Sequence, residues 1–94
     1  MKLRMYSIFD KKSLIYHPPQ FCHNTGHALR HFQSQLNSNQ KTVMSDYPED
    51  FDIYEVGSYN DQSGEIEPSK KPQHVCNMAE LLDNKPKDEV SNEG

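Results

Sequence analysis

Three histidines and a cysteine stand at spacings that could hold a metal ion. His23, His27 and His31 are four residues apart, and Cys22 directly precedes the first of them. Histidines four residues apart on a helix share one face and can chelate the same ion. Only His27 and His31 lie securely inside the predicted helix, and no acidic residue is near them in sequence. We therefore expect a solvated polar helix face, with no metal and no other cofactor.

The sequence shows no arrangement of residues that is suited to catalysis. Cys22 and His23 are adjacent, and neighbouring side chains in an extended segment point to opposite sides, so the two do not form a catalytic dyad. The four glycines are scattered and build no phosphate-binding loop. The carboxylates of the second half show no spacing that suggests paired acid–base work. The sequence predicts a binding protein with no catalytic residue, not an enzyme.

Basic and aromatic residues near the N-terminus form the main candidate site. Lys2, Arg4 and Tyr6 fall on one side of a predicted strand. If the helix covers the other side, amines here could contact the phosphates of single-stranded DNA, and the ring could stack on a base. The candidate nucleic-acid-binding residues are Lys2, Arg4, Tyr6, Lys11, Lys12 and Arg30.

Alternatives to DNA binding remain open for this strand. Tyr16, Tyr54 or Tyr59 could join the site, depending on a strand register that the sequence does not define. The same side could instead be simply solvated, contact a host or viral protein, or pair in a homodimer, which edge strands favour. Tyr6 becomes a core residue if the helix covers its side of the sheet.

The elements that must position these residues predict a small α+β fold. Asn24 or Thr25 can cap a helix that runs to about residue 37, with its apolar stripe at Ala28, Leu29, Phe32 and Leu36. Strands are predicted over residues 2–9, 14–17, 51–59 and 65–67, and Gly64 supplies the turn before the last. The predicted order is β-β-α-β-β, an antiparallel sheet with one main helix packed on one face. The DNA site at Lys2, Arg4 and Tyr6 requires that this face be the one that carries Leu3, Met5 and Phe9.

Domain organisation follows from where the hydrophobic residues lie. An α+β domain is predicted over residues 1–67. Residues 68–82 are predicted to be a linker around Pro68 and Pro72 that leads into a short helix at 77–82. Residues 83–94 are too polar to offset their ordering entropy, so a disordered acidic tail is predicted there.

Size and charge narrow the classes of function. A chain of 94 residues with 33% hydrophobic side chains builds only a thin core, which excludes doubly wound nucleotide folds and barrel enzymes. No segment approaches the roughly 20 apolar residues of a membrane span, so no membrane association is expected. Residues 1–43 carry a net charge of +5 and residues 44–94 a net charge of −9. The acidic half repels phosphate and opposes tight nonspecific DNA binding.

Several short segments form one ordered pattern along the chain: MKLRMYSIFD at 1–10, Tyr16, PQF at 19–21, NTGHALRHF at 24–32, YPEDF at 47–51, YEVGSY at 54–59 and the turn at Ser63-Gly64. In their order and spacing these segments resemble the small nonstructural protein of gokushoviruses, single-stranded DNA phages of the Microviridae. The resemblance covers about residues 1–67.

The resemblance implies an accessory protein that acts by binding. It implies a protein made in the cytoplasm of the infected bacterial host and absent from the virion, acting in viral genome replication or packaging. Single-stranded DNA is the first expected partner, and a host or viral replication or assembly factor is the alternative. No catalytic motif accompanies the family. Arg30, Gly57 and Gly64 are positions of the family pattern only.

Overall fold

A computed structural model describes residues 1–37 and 42–82 of the chain. In this part of the chain it shows five antiparallel strands and three short to medium helices. The strands are β1 (Lys2–Asp10), β2 (Ile15–Tyr16), β3 (Gln20–Cys22), β4 (Phe51–Asn60) and β5 (Ile66–Asn77). The helices are α1 (Thr25–Leu36), α2 (Val43–Asp46) and α3 (Met78–Leu82), with a 3₁₀ turn at Pro48–Asp50. The predicted antiparallel α+β class is confirmed.

The sheet is centred on β1 and β4. Its order is β2-β1-β4-β5, and β3 pairs with the first half of β1 while β2 pairs with its end. The predicted order β-β-α-β-β omits β3. This strand is only three residues long and follows Pro18-Pro19, so no period-two pattern marks it in the sequence.

Helix α1 forms where its cap and its apolar stripe predict it. The side chain of Asn24 accepts a hydrogen bond from the backbone N–H of His27 at 2.8 Å. Ala28, Phe32 and Leu36 are buried against the sheet, together with Met78 and Leu81 of α3. Both helices therefore pack on the same face of the sheet and share one core.

Helix α1 covers the sheet face opposite to the one that the predicted DNA site at β1 requires. The helix packs on Tyr6 and Ile8, not on the side of Leu3 and Phe9. Tyr6 is fully buried, and its hydroxyl lies 2.8 Å from Oγ1 of Thr25 in the first turn of the helix. Because the polar end of the ring has a partner, burying this tyrosine leaves no unsatisfied group. Of the two positions that the sequence left open for Tyr6, the structure shows the one in the core, so this ring is not available for stacking on a base.

Strand β5 extends across the segment predicted as a linker. Residues 68–72 lie within it, and the strand continues to Asn77, where α3 begins near the predicted position. Pro68 and Pro72 are tolerated because β5 is an edge strand of the described sheet, and prolines there also oppose edge-to-edge pairing. The predicted tail, residues 83–94, lies outside the described residues.

Two glycines serve the hairpin between β4 and β5. Gly64 has a φ of 77°, the left-handed conformation predicted for the turn. A Cβ atom on Gly57 would lie 2.6 Å from the carbonyl oxygen of Glu67 and 3.1 Å from Cα of Pro68. Since both neighbours are backbone atoms, only glycine lets the two strands approach this closely.

Candidate nucleic-acid interface

The sheet face opposite α1, called the open face below, carries most of the aromatic side chains of the strands. Within residues 1–37 and 42–82, the core of the protein is built on the other face by α1 and α3. Tyr16, Phe21 and His74 are 42%, 47% and about 50% exposed, and Tyr54 and Tyr59 are partly exposed. An exposed aromatic sheet face is therefore the most distinctive surface of the described protein.

Four rings at one end of the open face form the tyrosine cluster, defined as Phe9, Tyr16, Tyr54 and His74. Their centroids are 4.5 Å apart for Phe9 and Tyr16, 5.6 Å for Tyr16 and Tyr54, and 5.3 Å for Tyr54 and His74. Cross-strand register brings them together, since Phe9 pairs with Tyr16 and Tyr54 pairs with His74. Tilted and edge-on ring contacts of this kind hold the rings in place.

Two rings at the other end of the open face form the aromatic pair, defined as Phe21 and Tyr59. Their centroids are 5.3 Å apart, and the rings meet edge to face. Phe21 lies opposite Met5 and Tyr59 lies opposite Leu3 on either side of β1. The aromatic pair therefore bridges β3 and β4 across β1.

The floor between these two groups is built from side chains without rings. Met5, Ser7 and Gly57 are buried there, and Met5 and Ser7 take no part in the helix-side core. The hydroxyl of Ser7 donates to the carbonyl of His17 at 2.6 Å. The open face thus presents two aromatic groups with a ring-free stretch of β1 and β4 between them.

A buried carboxylate anchors the tyrosine cluster to the rest of the sheet. Asp52 accepts a 2.8 Å hydrogen bond from the side-chain amide of Asn77. Its other oxygen lies 3.6 Å from Nε2 of His74 and 3.8 Å from Nζ of Lys11. Burial, followed by the charge of Asp52, raises the pKa of Tyr54, so its hydroxyl remains neutral at physiological pH. Asp52 therefore lies between His74 and Lys11 at the border of the cluster.

The predicted basic residues of β1 lie away from the open face. Lys2 and Arg4 follow the alternation of Tyr6, so they share its side of the strand. Lys2 lies 3.2 Å from Glu67, and Arg4 lies 3.7 Å from Glu55. The structure therefore does not assemble them with an exposed ring.

The other predicted basic residues are spread over the molecule. Lys11 lies near Asp52 at the tyrosine cluster, and the exposed Lys12 follows it in the turn after β1. The backbone N–H of Lys12 donates to Asp10 and lowers the pKa of that carboxyl, which holds the turn. Arg30 is exposed on α1, on the helix side of the sheet. Of the basic residues of the predicted site, Lys11 is the one that an ion pair with Asp52 places at the tyrosine cluster.

Two lysines that the sequence places in a linker stand at the edge of the sheet instead. Lys70 and Lys71 are exposed in β5, between Pro68, which pairs with Gly57, and Gln73, which pairs with Glu55. Residues 69–72 thus bulge out of the ladder opposite Val56. No acidic side chain among the described residues forms an ion pair with either lysine. The bulge therefore adds positive charge to the β5 border of the sheet.

The histidines of α1 and the two cysteines belong to the helix side of the sheet, unlike His74. The rings of His23 and His27 stack with centroids 5.6 Å apart, while the ring of His31 contacts Phe32. The described residues contain no group of three or more side chains able to hold a metal ion. Burial raises the pKa of Cys22, and it raises the pKa of Cys76 to about 11. Both thiols therefore keep their protons at neutral pH.

Sequence reasoning found part of the open face. It considered Tyr16, Tyr54 and Tyr59 but left their register undecided, and it missed Phe21 and His74. Phe21 lies in the unpredicted strand β3, and His74 lies in the part of β5 read as a linker. The only signal for His74 was the apolar pair Val75-Cys76 that follows it.

Comparison with known proteins assigns the chain to a group of phage proteins. The family model described as Phage ORF5 protein matches residues 3–81. The chain belongs to this family. The match spans the whole described sheet and reaches α3, well past the end of the N-terminal resemblance at residue 67.

The other two comparisons add no relative to this family match. No curated protein and no solved structure gives a significant match. Among the described residues, none of the helices has the length and apolar character needed to cross a membrane. The family match identifies the chain as a phage protein.

Proposed function

We propose that this phage protein binds single-stranded DNA through its open face. The proposal rests on one observation. Two exposed aromatic groups, the tyrosine cluster and the aromatic pair, lie on a sheet face that the described helices leave uncovered. Aromatic side chains on a flat surface stack on unpaired bases, each worth about 1–3 kcal/mol. We further propose that the protein is a gokushovirus nonstructural protein that acts in genome synthesis or packaging in the host cytoplasm and is not a virion component.

The form of the surface favours unpaired strands over a duplex. In a duplex the flat faces of the bases are stacked on one another, and only their edges are accessible in the grooves. The rings of Tyr16 and Phe21 lie on a broad sheet and not on a helix or ribbon that could enter a groove. Single strands offer the flat base faces that such rings can use.

The charges around the open face supply a modest attraction for phosphate. Lys11 lies at the tyrosine cluster, where it pairs with Asp52, and the exposed Lys70 and Lys71 lie at the β5 border. The net charge of the chain is −4, so long-range attraction is weak and local contacts must dominate. We therefore expect binding that is strongest at low salt and carried mainly by stacking.

Replacing the two lysines of the β5 bulge should change the salt dependence of binding. For Lys70→Ala with Lys71→Ala, we expect the slope of log affinity against log salt to flatten by roughly 1.4, about 0.7 for each lost phosphate contact. Fluorescence anisotropy of a labelled oligothymidylate, titrated at several salt concentrations, measures this slope.

A matched pair of substitutions on the other face serves as the control. Lys2→Ala with Arg4→Ala removes the same charge, but these residues lie on the helix side and contact Glu67 and Glu55. We expect the slope to change by less than half as much. If the control substitutions flatten the salt slope more than the substitutions in the β5 bulge do, the phosphate contacts are made by β1. That result would contradict the open-face assignment.

The alternative function is a protein adaptor, which the tip of the β1–β2 hairpin favours. Leu14 has a φ of 63° and is 72% exposed, and the neighbouring Ile15 is 60% exposed. A bulky residue in the left-handed region costs stability, and strain of this kind collects at functional sites. If the protein fails to bind single-stranded DNA even at low salt, the adaptor function at this tip takes precedence.

A further inference from the structure

The two aromatic groups of the open face are separated along the strands. The tyrosine cluster lies opposite residues 7 to 9 of β1, because Tyr54 pairs with Ser7 and Tyr16 pairs with Phe9. The aromatic pair lies opposite residues 3 to 5, because Tyr59 pairs with Leu3 and Phe21 with Met5. Tyr16 and Phe21, the most exposed rings of the two groups on β2 and β3, pair with Phe9 and Met5 of β1. That offset of four residues at about 3.3 Å each places them about 13 Å apart, whereas the nearest rows of the two groups, at Met5 and Ser7, are two residues apart.

We infer that the open face holds two separate stacking subsites that a single strand must bridge, an inference that rests on the proposed function. The tyrosine cluster is one subsite and the aromatic pair is the other. The floor between them offers Met5, Ser7 and Gly57, none of which has a ring. The ligand is therefore a strand that stacks one base at each end of the face and crosses the floor with its backbone.

The separation sets a minimum length for full binding. At the spacing of about 3.4 Å per nucleotide in a stacked strand, 13 Å corresponds to about four steps, and a stretched strand covers it in fewer. A dinucleotide has one step and cannot reach from Tyr16 to Phe21, the two rings on which the experiment below depends. A strand of about eight nucleotides can occupy both, and its second contact becomes intramolecular, which raises affinity without any new kind of contact.

Two substitutions on exposed rings separate the subsites experimentally. Tyr16→Ala removes an outer ring of the tyrosine cluster, and Phe21→Ala removes the exposed ring of the aromatic pair. Two-dimensional NMR titration of the full chain with a thymidine dinucleotide and with an octanucleotide measures both weak and moderate affinity. Tyr47→Ala is the matched control, since Tyr47 is an exposed tyrosine that lies before the 3₁₀ turn and outside both subsites.

The inference predicts different responses for the two ligands. Each single substitution should reduce dinucleotide affinity only about twofold, since the other subsite remains, whereas the double variant should lose it. For the octanucleotide, each single substitution should cost about tenfold or more, because bridging is lost. Tyr47→Ala should leave both affinities unchanged.

Other outcomes overturn the inference in distinguishable ways. If one substitution abolishes dinucleotide binding and the other changes neither ligand, the face holds one subsite, and the proposed function survives without the bridge. If the double variant binds both ligands as the wild type does, the strand binds elsewhere and the open-face assignment is wrong as well. If the wild-type protein binds neither ligand at low salt, the proposed function itself fails.

Discussion

Replacing Tyr6 by alanine should lower the free energy of unfolding by about 3–5 kcal/mol, the usual cost of removing a large ring from a core. Tyr6 is fully buried beneath α1, and its ring packs with Ile8, Phe32 and Ile53. A domain of this size has a total stability of about 5–15 kcal/mol, so the loss would be a large fraction of it. Urea unfolding followed by circular dichroism measures the change.

Two further variants isolate the cause of this loss. Tyr6→Phe keeps the ring but removes the hydroxyl that contacts Thr25, so we expect a cost of about 1 kcal/mol. Tyr47→Ala removes a tyrosine that is 58% exposed, and we expect a change within about 0.5 kcal/mol. A Tyr6→Ala protein as stable as the wild type would mean that the ring lies outside the core and that α1 covers the other face.

Removing one ring from each aromatic group should have the largest effect on binding. For Tyr16→Ala with Phe21→Ala, two stacking contacts of about 1–3 kcal/mol each are lost, so affinity for an oligothymidylate should fall about 100-fold or more at low salt. Since stacking releases few counterions, the salt slope should change little. Anisotropy titration measures the affinity, and salt titration measures the slope.

Stability and specificity controls accompany this variant. Both rings are nearly half exposed, so the fold should survive their removal, as circular dichroism can verify. Val43→Ala and Tyr47→Ala remove comparably exposed side chains that lie between α1 and β4 in sequence, and should leave affinity unchanged. Unaltered affinity in the folded double variant would remove the open face as the binding site.

Elements defined by local pattern were predicted well. The alternation of β1, the stripe of α1 with its Asn24 cap, and the Gly64 turn depend on residues within a few positions of one another. Such signals act through short-range sterics and hydrogen bonds, and the packed structure agrees with them.

Local pattern could not predict which face of the sheet meets helix α1. Both sides of β1 are apolar, with Met5 and Phe9 on one and Tyr6 and Ile8 on the other, so periodicity alone does not show which side meets the helix. The choice depends on long-range contacts, among them the hydroxyl of Tyr6 with Thr25. Choosing the wrong side placed a core tyrosine in the predicted DNA site.

The length of β5 was missed for a related reason. Its prolines and lysines resemble a linker, and only pairing with β4 makes the segment a strand. Because β5 supplies His74, Lys70 and Lys71, the candidate site could not be completed from the sequence. The contacts of Tyr16 and Tyr54 with Phe9 likewise depend on the register of β2 and β4 against β1, which the sequence does not define.

Photochemical cross-linking tests the open-face assignment most directly. An oligothymidylate of about 12 nucleotides that carries 5-iodouracil is irradiated with the wild-type protein, and cross-linked peptides are identified by mass spectrometry. Because the halogenated base reacts with a ring stacked on it, we predict cross-links at Tyr16, Phe21, Tyr54 or Tyr59. Cross-links confined to Tyr47 or to the histidines of α1, or none at low salt, would contradict DNA binding by the open face.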